Sequence, residues 1–472
     1  MRRTKIVCTL GPASSDLRII RRMVRAGMDA ARLNFSHGTH SDHGQLLRKV
    51  RLAAEQQGRP VAVIQDLSGP KLRIGPIASG TVELQPGKIF VLTTRKVPGD
   101  AHCVSVNYPD LPRELKPGDT ILLADGMIEL RVKSTSPDEI RCRVVIGGRL
   151  SSRKGISVPS RSLGIEPFTA KDRNDLLWGI RKGVDYVAVS YVRTADDIAR
   201  VRSFLDRHQA AISIIAKIEK HEAINNLDDI ITAADAVMVA RGDLGVEVPI
   251  ESVPVIQKKI IRRAAELGRP VITATQMLRS MVTNPRPTRA EVTDVANAML
   301  DGADATMLSE ETAMGRFPVI TVEMMSRIIS DAETIFPHDR WMESLQKLPE
   351  PVSSAIAGAA CRLAEQTGAS AIIACTCSGR TALNVARLRP RARIFAPTPN
   401  RRVYQRLALA WGISPLLIHP AETDSELMRA AHDALLAQGL IRPGERIVLT
   451  AGVPVKIPGN TNFVRVITAG TI

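Results

Sequence analysis

The sequence predicts an α/β protein: a (β/α)8 barrel with a small antiparallel β-barrel domain inserted into it and an open α/β domain after it. Three observations lead there. Eight short apolar runs, at 6–10, 31–35, 61–67, 186–190, 214–219, 236–240, 271–275 and 305–309, are mostly separated by amphipathic stretches such as 16–26, 42–55, 197–208 and 255–267. Strands alternating with helices build parallel sheets, and eight such units close a TIM barrel. Between the third and fourth runs the period changes: "TVELQPGKIFVLTT", "KPGDTILLADGMIELRV" and "EIRCRVVIGGRL" alternate apolar and polar residues between Pro-Gly, Gly-Asp and Gly-Gly turns, the pattern of paired antiparallel strands. After residue 332 a linker-like segment with Pro337, Pro349 and Pro351 leads to a second alternation, a helix at 353–367 and strands near 371–376, 393–397, 416–419, 446–450 and 464–468. The predicted domains are 1–69 with 167–335 for the barrel, 70–166 for the insertion, a candidate lid, and 345–472 for the terminal domain.

Each barrel run stops in polar residues: Thr9, Asn34 and Ser36, Asp66, Ser190, Lys217 and Glu219, Arg241 and Asp243, Thr275 and Gln276, Ser309 and Glu310. A barrel places its chemistry where strands end, so this face is the predicted site. Side chains alternate along a strand, which puts Lys217 and Glu219 on one side. Glu219 and Asp243, carboxylates from neighbouring strand ends without a nearby run of His or Cys, suit a hard cation such as Mg²⁺. A lysine beside that cation completes the pair that binds a phosphate or a developing enolate. A structural Lys217–Glu219 ion pair is the plainer alternative.

Composition narrows the field. The chain has 472 residues, 44% hydrophobic, with mean hydropathy near zero, enough for about three domains. No apolar run reaches the roughly 20 residues of a membrane span. The start, "MRRTKIVCTLGP", passes straight into a strand without a signal-peptide pattern, so a cytoplasmic protein is expected. The net charge of +16, from 64 Lys and Arg against 48 Asp and Glu, is spread over the chain. With only 3% aromatic residues and no basic run interleaved with stacking residues, a surface for anionic metabolites fits better than nucleic acid. Six scattered cysteines read as buried thiols, and His37, His40 and His43, without acidic or thiol company, as a polar turn rather than zinc ligands.

In the terminal domain, Ser378, Gly379, Arg380 and Thr381 form a turn at a helix start. It is either a phosphate nest or an ordinary N-cap.

The stretches "TKIVCTLGPAS", "ARLNFSHG", "GPKLRIG", "AKIEKHEAINN", "VARGDLGVE", "ITATQMLRSM", "NPRPTRAEVTDVANA" and "MLSEETAMG" run through most of the chain, and together they resemble the pyruvate kinase family. The resemblance implies an ATP:pyruvate phosphotransferase that moves a phosphoryl group from phosphoenolpyruvate to ADP, giving ATP and pyruvate, the last step of glycolysis. It implies Mg²⁺ or Mn²⁺ on Glu219 and Asp243, and Lys217 neutralising the transferring phosphoryl group and the enolate. Arg32 resembles the substrate-phosphate arginine. Asn34, Ser36, His37, Arg73 and Lys171 resemble positions near the nucleotide phosphates, and the Gly242 N–H and Thr275 hydroxyl resemble holders of the substrate carboxylate. Thr275 and Ser309, through water, are candidates for proton delivery. The Ser378–Gly379–Arg380–Thr381 turn, with "TAGVPVKIPGNTNFVRV", resembles an effector pocket for a sugar phosphate or nucleotide, and the family is usually a homotetramer.

Many relatives read "DTKGPEIR" where this chain has "DLSGPKLR" from Asp66 to Arg73. Lys71 stands in place of the glutamate and Leu67 in place of the threonine, and a tethered ammonium beside Asn34, Ser36, Asp66 and Leu67 can supply the charge that potassium supplies elsewhere. This resembles the lysine-bearing, potassium-independent branch. Glu310 replaces a more usual glycine, which a side chain tolerates only where φ is negative. Two other readings compete: a barrel lyase or aldolase that stabilises an enolate, and a regulatory or nucleic-acid-binding protein that kept the scaffold. The lyase has no second phosphate donor for the insertion, Arg73 and Lys171 to cover. The scaffold reading expects losses among Lys217, Glu219, Asp243 and Arg32, and all four are present.

Overall fold

The computed structural model describes residues 2–159, 161–345, 351–454 and 460–471. Eight parallel strands close the barrel: β1 (Lys5–Thr9), β2 (Ala30–Asn34), β3 (Ala62–Asp66), β4 (Tyr186–Val189), β5 (Ser213–Ile218), β6 (Ala236–Ala240), β7 (Val271–Ala274) and β8 (Ala305–Leu308). Each pairs with its sequence neighbours, and β8 pairs with β1. The strands are buried on both faces, which is why they read as unbroken apolar runs instead of alternating ones. One end of the barrel is stoppered: Ala408 and Leu409 of the terminal domain join the interior cluster of Val7, Ile64, Met238 and Met307. The Tyr186 hydroxyl donates to the Arg406 carbonyl there at 3.1 Å. The opposite end, where the strands run into polar residues, carries the cleft described below.

Helix starts are set by side chains that satisfy orphan N–H groups. Thr39, Thr169 and Thr288 each accept from the N–H three residues on, with an acid at that position returning the bond, a reciprocal capping box. The helix expected from Asp42 therefore begins at His40, because Thr39 caps it with Asp42 as the returning acid.

The insertion's strands, Ile156–Ser157, Thr120–Leu123, Ile128–Thr135, Glu139–Ile146, Ile89–Thr93 and Cys103–Ser105, form one six-stranded sheet in that spatial order, and Gly148–Ser151 pairs with Thr81–Leu84. Residues 73 and 74 bridge the two edges of the larger sheet, Arg73 to Gly155 and Ile74 to Val106, so the ring closes through isolated bridges. One pair, Ile89–Thr93 with Cys103–Ser105, is parallel; the alternation of residues carries no sign of strand direction. The insertion has its own apolar core around Phe90, Leu92, Ile121, Leu130 and Val144.

The terminal domain is a five-stranded sheet of β9 (Ala371–Ala374), β10 (Arg393–Thr398), β11 (Ile413–Leu417), β12 (Arg446–Gly452) and β13 (Thr461–Thr468), ordered β11-β10-β9-β12-β13 with only the last pair antiparallel. The strand expected at 416–419 lies earlier and runs through Pro415. Proline lacks an N–H but is tolerated on an edge strand such as β11. The segment expected to be a plain linker contains a helix, His338–Leu345, whose Trp341 donates to the Arg387 carbonyl at 2.9 Å. Pro349 lies outside the described residues. Arg389, fully buried, stacks over Trp411 at 4.6 Å and donates to the Gly302 carbonyl at 2.6 Å. Barrel and terminal domain thus share a packed interface.

Candidate active site

Lys217, near the end of β5, is buried with its ammonium 2.7 Å from Glu219 Oε1 and 3.3 Å from Asp66 Oδ1. It also donates to Ser190 Oγ at 2.7 Å, whose hydroxyl donates to the Leu67 carbonyl. The alternation argument therefore holds: Lys217 and Glu219 share a side, and the ion pair is real. Burial pulls the Lys217 pKa down, but Asp66 and Glu219 more than offset it, and the ammonium is held above its ordinary value. Arg32 in the middle of β2 donates from Nε to Asp66 Oδ2 at 2.6 Å and from a terminal nitrogen to Thr9 Oγ1 at 3.0 Å. Asp66 thus sits between two cations, which outweigh its burial and hold its carboxyl below the usual range.

Glu219 is buried, takes the Tyr191 N–H on its other oxygen at 2.8 Å, and is pushed up by burial and by the charge of Asp243, against the pull of Lys217. Asp243 lies in the first turn of the helix Arg241–Glu247 and is exposed, and both acids line the same cleft. Burial and the charge of Asp243 raise the proton affinity of Glu219, and two neighbouring carboxylates of this kind form a site that gains from a hard divalent cation. Glu219 and Asp243 therefore fit Mg²⁺ or Mn²⁺ by donor type.

The cleft, about 630 Å³, lies between the barrel rim and the insertion, with Lys71, Arg73, Arg153 and Lys154 from the insertion side facing Glu219, Asp243 and Glu247. Lys71 is half-buried, and burial and then Lys217 hold its ammonium below the ordinary value, with Asp243, Glu219 and Asp66 pulling the other way. His37 shares the cleft, its pKa lowered by burial, Lys71 and Arg73. The Asn34 side chain accepts the Ser36 N–H at 3.1 Å, shaping the turn after β2. Leu67 is buried, its N–H donating to the Ala188 carbonyl at 3.0 Å. Lys171 stands off the cleft wall. It donates to the Phe35 carbonyl at 2.8 Å and Ser68 Oγ at 3.1 Å and pairs with Asp175 at 2.5 Å. His40 also pairs with Asp175, and His43 stacks on Phe35 with ring centroids 4.2 Å apart, so the three histidines do not form a metal cluster.

Beyond β7 the chain makes a strained turn, with Thr275 at φ 72° and Gln276 at φ 56°, a region costly for residues with a Cβ. The Gly242 N–H donates to Thr275 Oγ1 at 2.9 Å. What holds the turn is Arg241, counted from sequence only as one more polar strand end. Its guanidinium donates to both oxygens of Asp294, at 2.6 and 2.8 Å, and to the carbonyls of Thr275 at 2.7 Å and Ala274 at 3.2 Å. No spacing rule links residues 241 and 294, and the one available signal is an arginine two positions before a predicted metal ligand, Asp243. Ser309 stands at the N-cap position of the short helix Glu310–Ala313, without a capping bond from its side chain. Glu310 is outside the positive-φ residues, so its side chain is tolerated.

At the terminal-domain turn, Gly379 is the N-cap at φ 93°, with Ser378 and Arg380 exposed. The Thr381 hydroxyl is buried against Thr461 at 2.7 Å. Residues 455–459 of the other candidate effector segment lie outside the described residues.

A family model described as pyruvate kinase, barrel domain, matches residues 1–322, and one described as pyruvate kinase, alpha/beta domain, matches residues 354–467. The chain belongs to the pyruvate kinase family. It is 45% identical to the pyruvate kinase of Geobacillus stearothermophilus, over 98% of this chain and 80% of that protein, and 45% identical to that of Corynebacterium glutamicum, over 98% and 97%. A crystal structure of a pyruvate kinase from Cryptosporidium parvum aligns with TM-score 0.94 at 34% identity, covering 99% of this chain and 96% of that one. Pyruvate kinase architecture thus accounts for the barrel, and for the terminal α/β domain after it. Among the described residues no helix is long and apolar enough to cross a membrane.

Proposed function

We propose that this chain is the phosphotransferase its family membership implies, moving the phosphoryl group of phosphoenolpyruvate to ADP to give ATP and pyruvate. The observation that carries the reading is a buried ammonium, Lys217, flanked by Glu219 and Asp66 at the barrel's strand ends, with Glu219 itself lining a cleft that has a cationic wall. Phosphoryl transfer needs positioning and charge neutralisation more than covalent help. Glu219 and Asp243 would hold Mg²⁺ or Mn²⁺, which supplies charge neutralisation to the transferring group when bound. Arg32 and Lys217 bind and neutralise the substrate phosphate. The Gly242 N–H and the Thr275 hydroxyl hold the substrate carboxylate. Asn34, Ser36, His37 and Arg73 face the nucleotide phosphates, and Lys171 orders the Phe35 turn beneath them. As the P–O bond to the enol oxygen breaks and a β-phosphate oxygen of ADP bonds phosphorus, Lys217 stabilises the enolate left behind. Its C2–C3 π electrons then take a proton at C3, relayed by Thr275 and Ser309 through water, and C2–O becomes the carbonyl. A lyase would leave the cationic side of the cleft without a ligand.

Residues 70–166 act as the lid in this reading, supported by their separate apolar core, with 1–69 and 167–335 as the barrel and 345–472 as a regulatory domain. Lys71 takes the place of a monovalent cation, so potassium is not required. The exposed Ser378 and Arg380 on the Gly379 turn form part of an effector site for a sugar phosphate or nucleotide. Titrating such effectors at subsaturating phosphoenolpyruvate in wild type and Arg380→Ala tests this, and equal activation of both refutes it. Assembly as a homotetramer in the cytoplasm extends the same reading, and light scattering after size exclusion tests the assembly. The activity itself is tested by a coupled pyruvate assay with phosphoenolpyruvate, ADP and Mg²⁺, in which absence of turnover favours the scaffold reading.

A further inference from the structure

We infer that Glu311, a buried acid without a role in the scheme above, is the positioning residue for the proton step, because its single carboxylate fixes the loop that carries Ser309 against the loop that follows Thr275. The inference rests on the proposed phosphotransferase reading. Glu311 is 1% exposed, and its two oxygens go to two different loops. Oε2 accepts the Ser309 N–H at 2.7 Å, directly after β8, and Oε1 accepts the Leu278 N–H at 3.1 Å, three residues beyond Thr275. No basic side chain pairs with it among the described residues. A buried carboxylate without a cation is costly, and charge-assisted bonds from two amides are what offset it here. Burial pushes the carboxyl up on balance, against the N–H groups of Glu311 itself, Leu278 and Ser309, which pull it down.

The platform beneath is rigid. Thr312 Oγ1 donates to the Thr9 carbonyl at 2.8 Å, and Thr9 Oγ1 donates to the Leu308 carbonyl at 3.0 Å. Gly11 lies so close that a Cβ there would stand 2.6 Å from the Ala313 carbonyl oxygen. The helix Glu310–Ala313 is thus welded to β1, and Glu311 reaches from it to set the two proton-relay loops at a fixed separation. Glutamine has the same volume but offers one acceptor oxygen, so its NH₂ must confront one of the two N–H groups. The consequence falls on Ser309 and Thr275. Glu219, Asp243 and Lys217 hang from other strands and are untouched.

The test uses the full-length chain with Glu311→Gln and measures two reactions. One is overall turnover of phosphoenolpyruvate and ADP. The other is exchange of the C3 hydrogens of pyruvate with D₂O in the presence of ATP and Mg²⁺, followed by NMR, which reports proton transfer alone. Exchange should fall on the order of tenfold to a hundredfold and KM for phosphoenolpyruvate should rise, since Thr275 also holds that substrate's carboxylate, while KM for ADP and Mn²⁺ affinity stay within about twofold of wild type. Exchange at the wild-type rate overturns the inference. So does a parallel fall in exchange, ADP affinity and Mn²⁺ affinity, which marks a merely structural acid. If Glu311→Gln does not fold, Glu311→Asp, which keeps the charge and withdraws the carboxylate by one carbon, is read by the same criteria. A wild type without turnover sinks the phosphotransferase reading itself, a result distinct from an active wild type with a silent Glu311→Gln.

Discussion

Replacing Arg241 with lysine keeps the charge and removes the fork. The guanidinium serves Asp294 and the carbonyls of Thr275 and Ala274 together; a single ammonium on a flexible stem cannot reproduce that planar geometry. The turn it steadies is strained. Thr275 and Gln276 sit at φ 72° and 56°, and a non-glycine residue there costs about 1–2 kcal/mol. A hydrogen bond from a charged donor contributes about 1.5–3 kcal/mol net. If lysine retains Asp294 and loses the Thr275 carbonyl, with the turn relaxing in part, the loss of transition-state stabilisation is about 2–3 kcal/mol, or roughly 30- to 160-fold in kcat/KM. The groups displaced are the Gly242 N–H and the Thr275 hydroxyl, on the phosphoenolpyruvate side. KM for that substrate should rise, kcat should fall, and KM for ADP should hold. Steady-state assays varying each substrate, with a thermal melt to establish folding, read this directly. A kcat/KM within about threefold of wild type, or equal rises in both KM values, refutes the positioning argument.

Three further outcomes follow from the same geometry. Lys217→Met should lower kcat on the order of 10²–10³-fold, by analogy with the loss of one preorganised donor at a developing oxyanion, while Mn²⁺ binding at Glu219 and Asp243 persists; near-normal turnover would sink the electrostatic role. On the proposed role of Lys71, whose ammonium lines the cleft under the pull of Asp243, Glu219 and Asp66, exchanging potassium for tetramethylammonium should leave kcat within about twofold, and a large loss of rate would show that Lys71 does not replace the ion. Asp66 is held below its ordinary carboxylate range by Arg32 and Lys217 against burial, so its stabilising contribution is present above the unfolded value near 3.9 and lost as pH falls through the depressed folded value. Melting temperature should therefore drop below about pH 4 more steeply in wild type than in Asp66→Asn, and equal slopes would count against the buried pairing.

Much of the site was legible because a parallel barrel writes itself plainly. Strands buried on both faces give unbroken apolar runs, and the first polar residue after each run marks the catalytic rim. Lys217, Glu219 and Asp66 came from that grammar and Arg32 from the family resemblance, and the four meet within hydrogen-bond distances. Boundaries were less legible where a side chain decides them. Thr39 moves a helix start by two residues, and an edge position lets β11 run through Pro415.

What no single segment discloses is the layer that holds the reacting groups in place. Arg241 and Asp294 are 53 positions apart, and Glu311 is indistinguishable in sequence from its exposed neighbour Glu310, although the structure buries one and leaves the other on the cleft wall. Sequence periodicity assigns a side chain to a face, but it cannot say which acid on that face receives two amides from different loops. The strained turn makes the point physically. Residues at positive φ persist only when their surroundings over-determine them, and here the surroundings are a guanidinium fork on one side and a carboxylate bridge on the other. If both are weakened together, in Arg241→Lys with Glu311→Gln, the losses should exceed the sum of the single effects, because either support alone still constrains the Thr275 turn. Simple additivity would mean that the two act on separate loops and that the turn is held by something else.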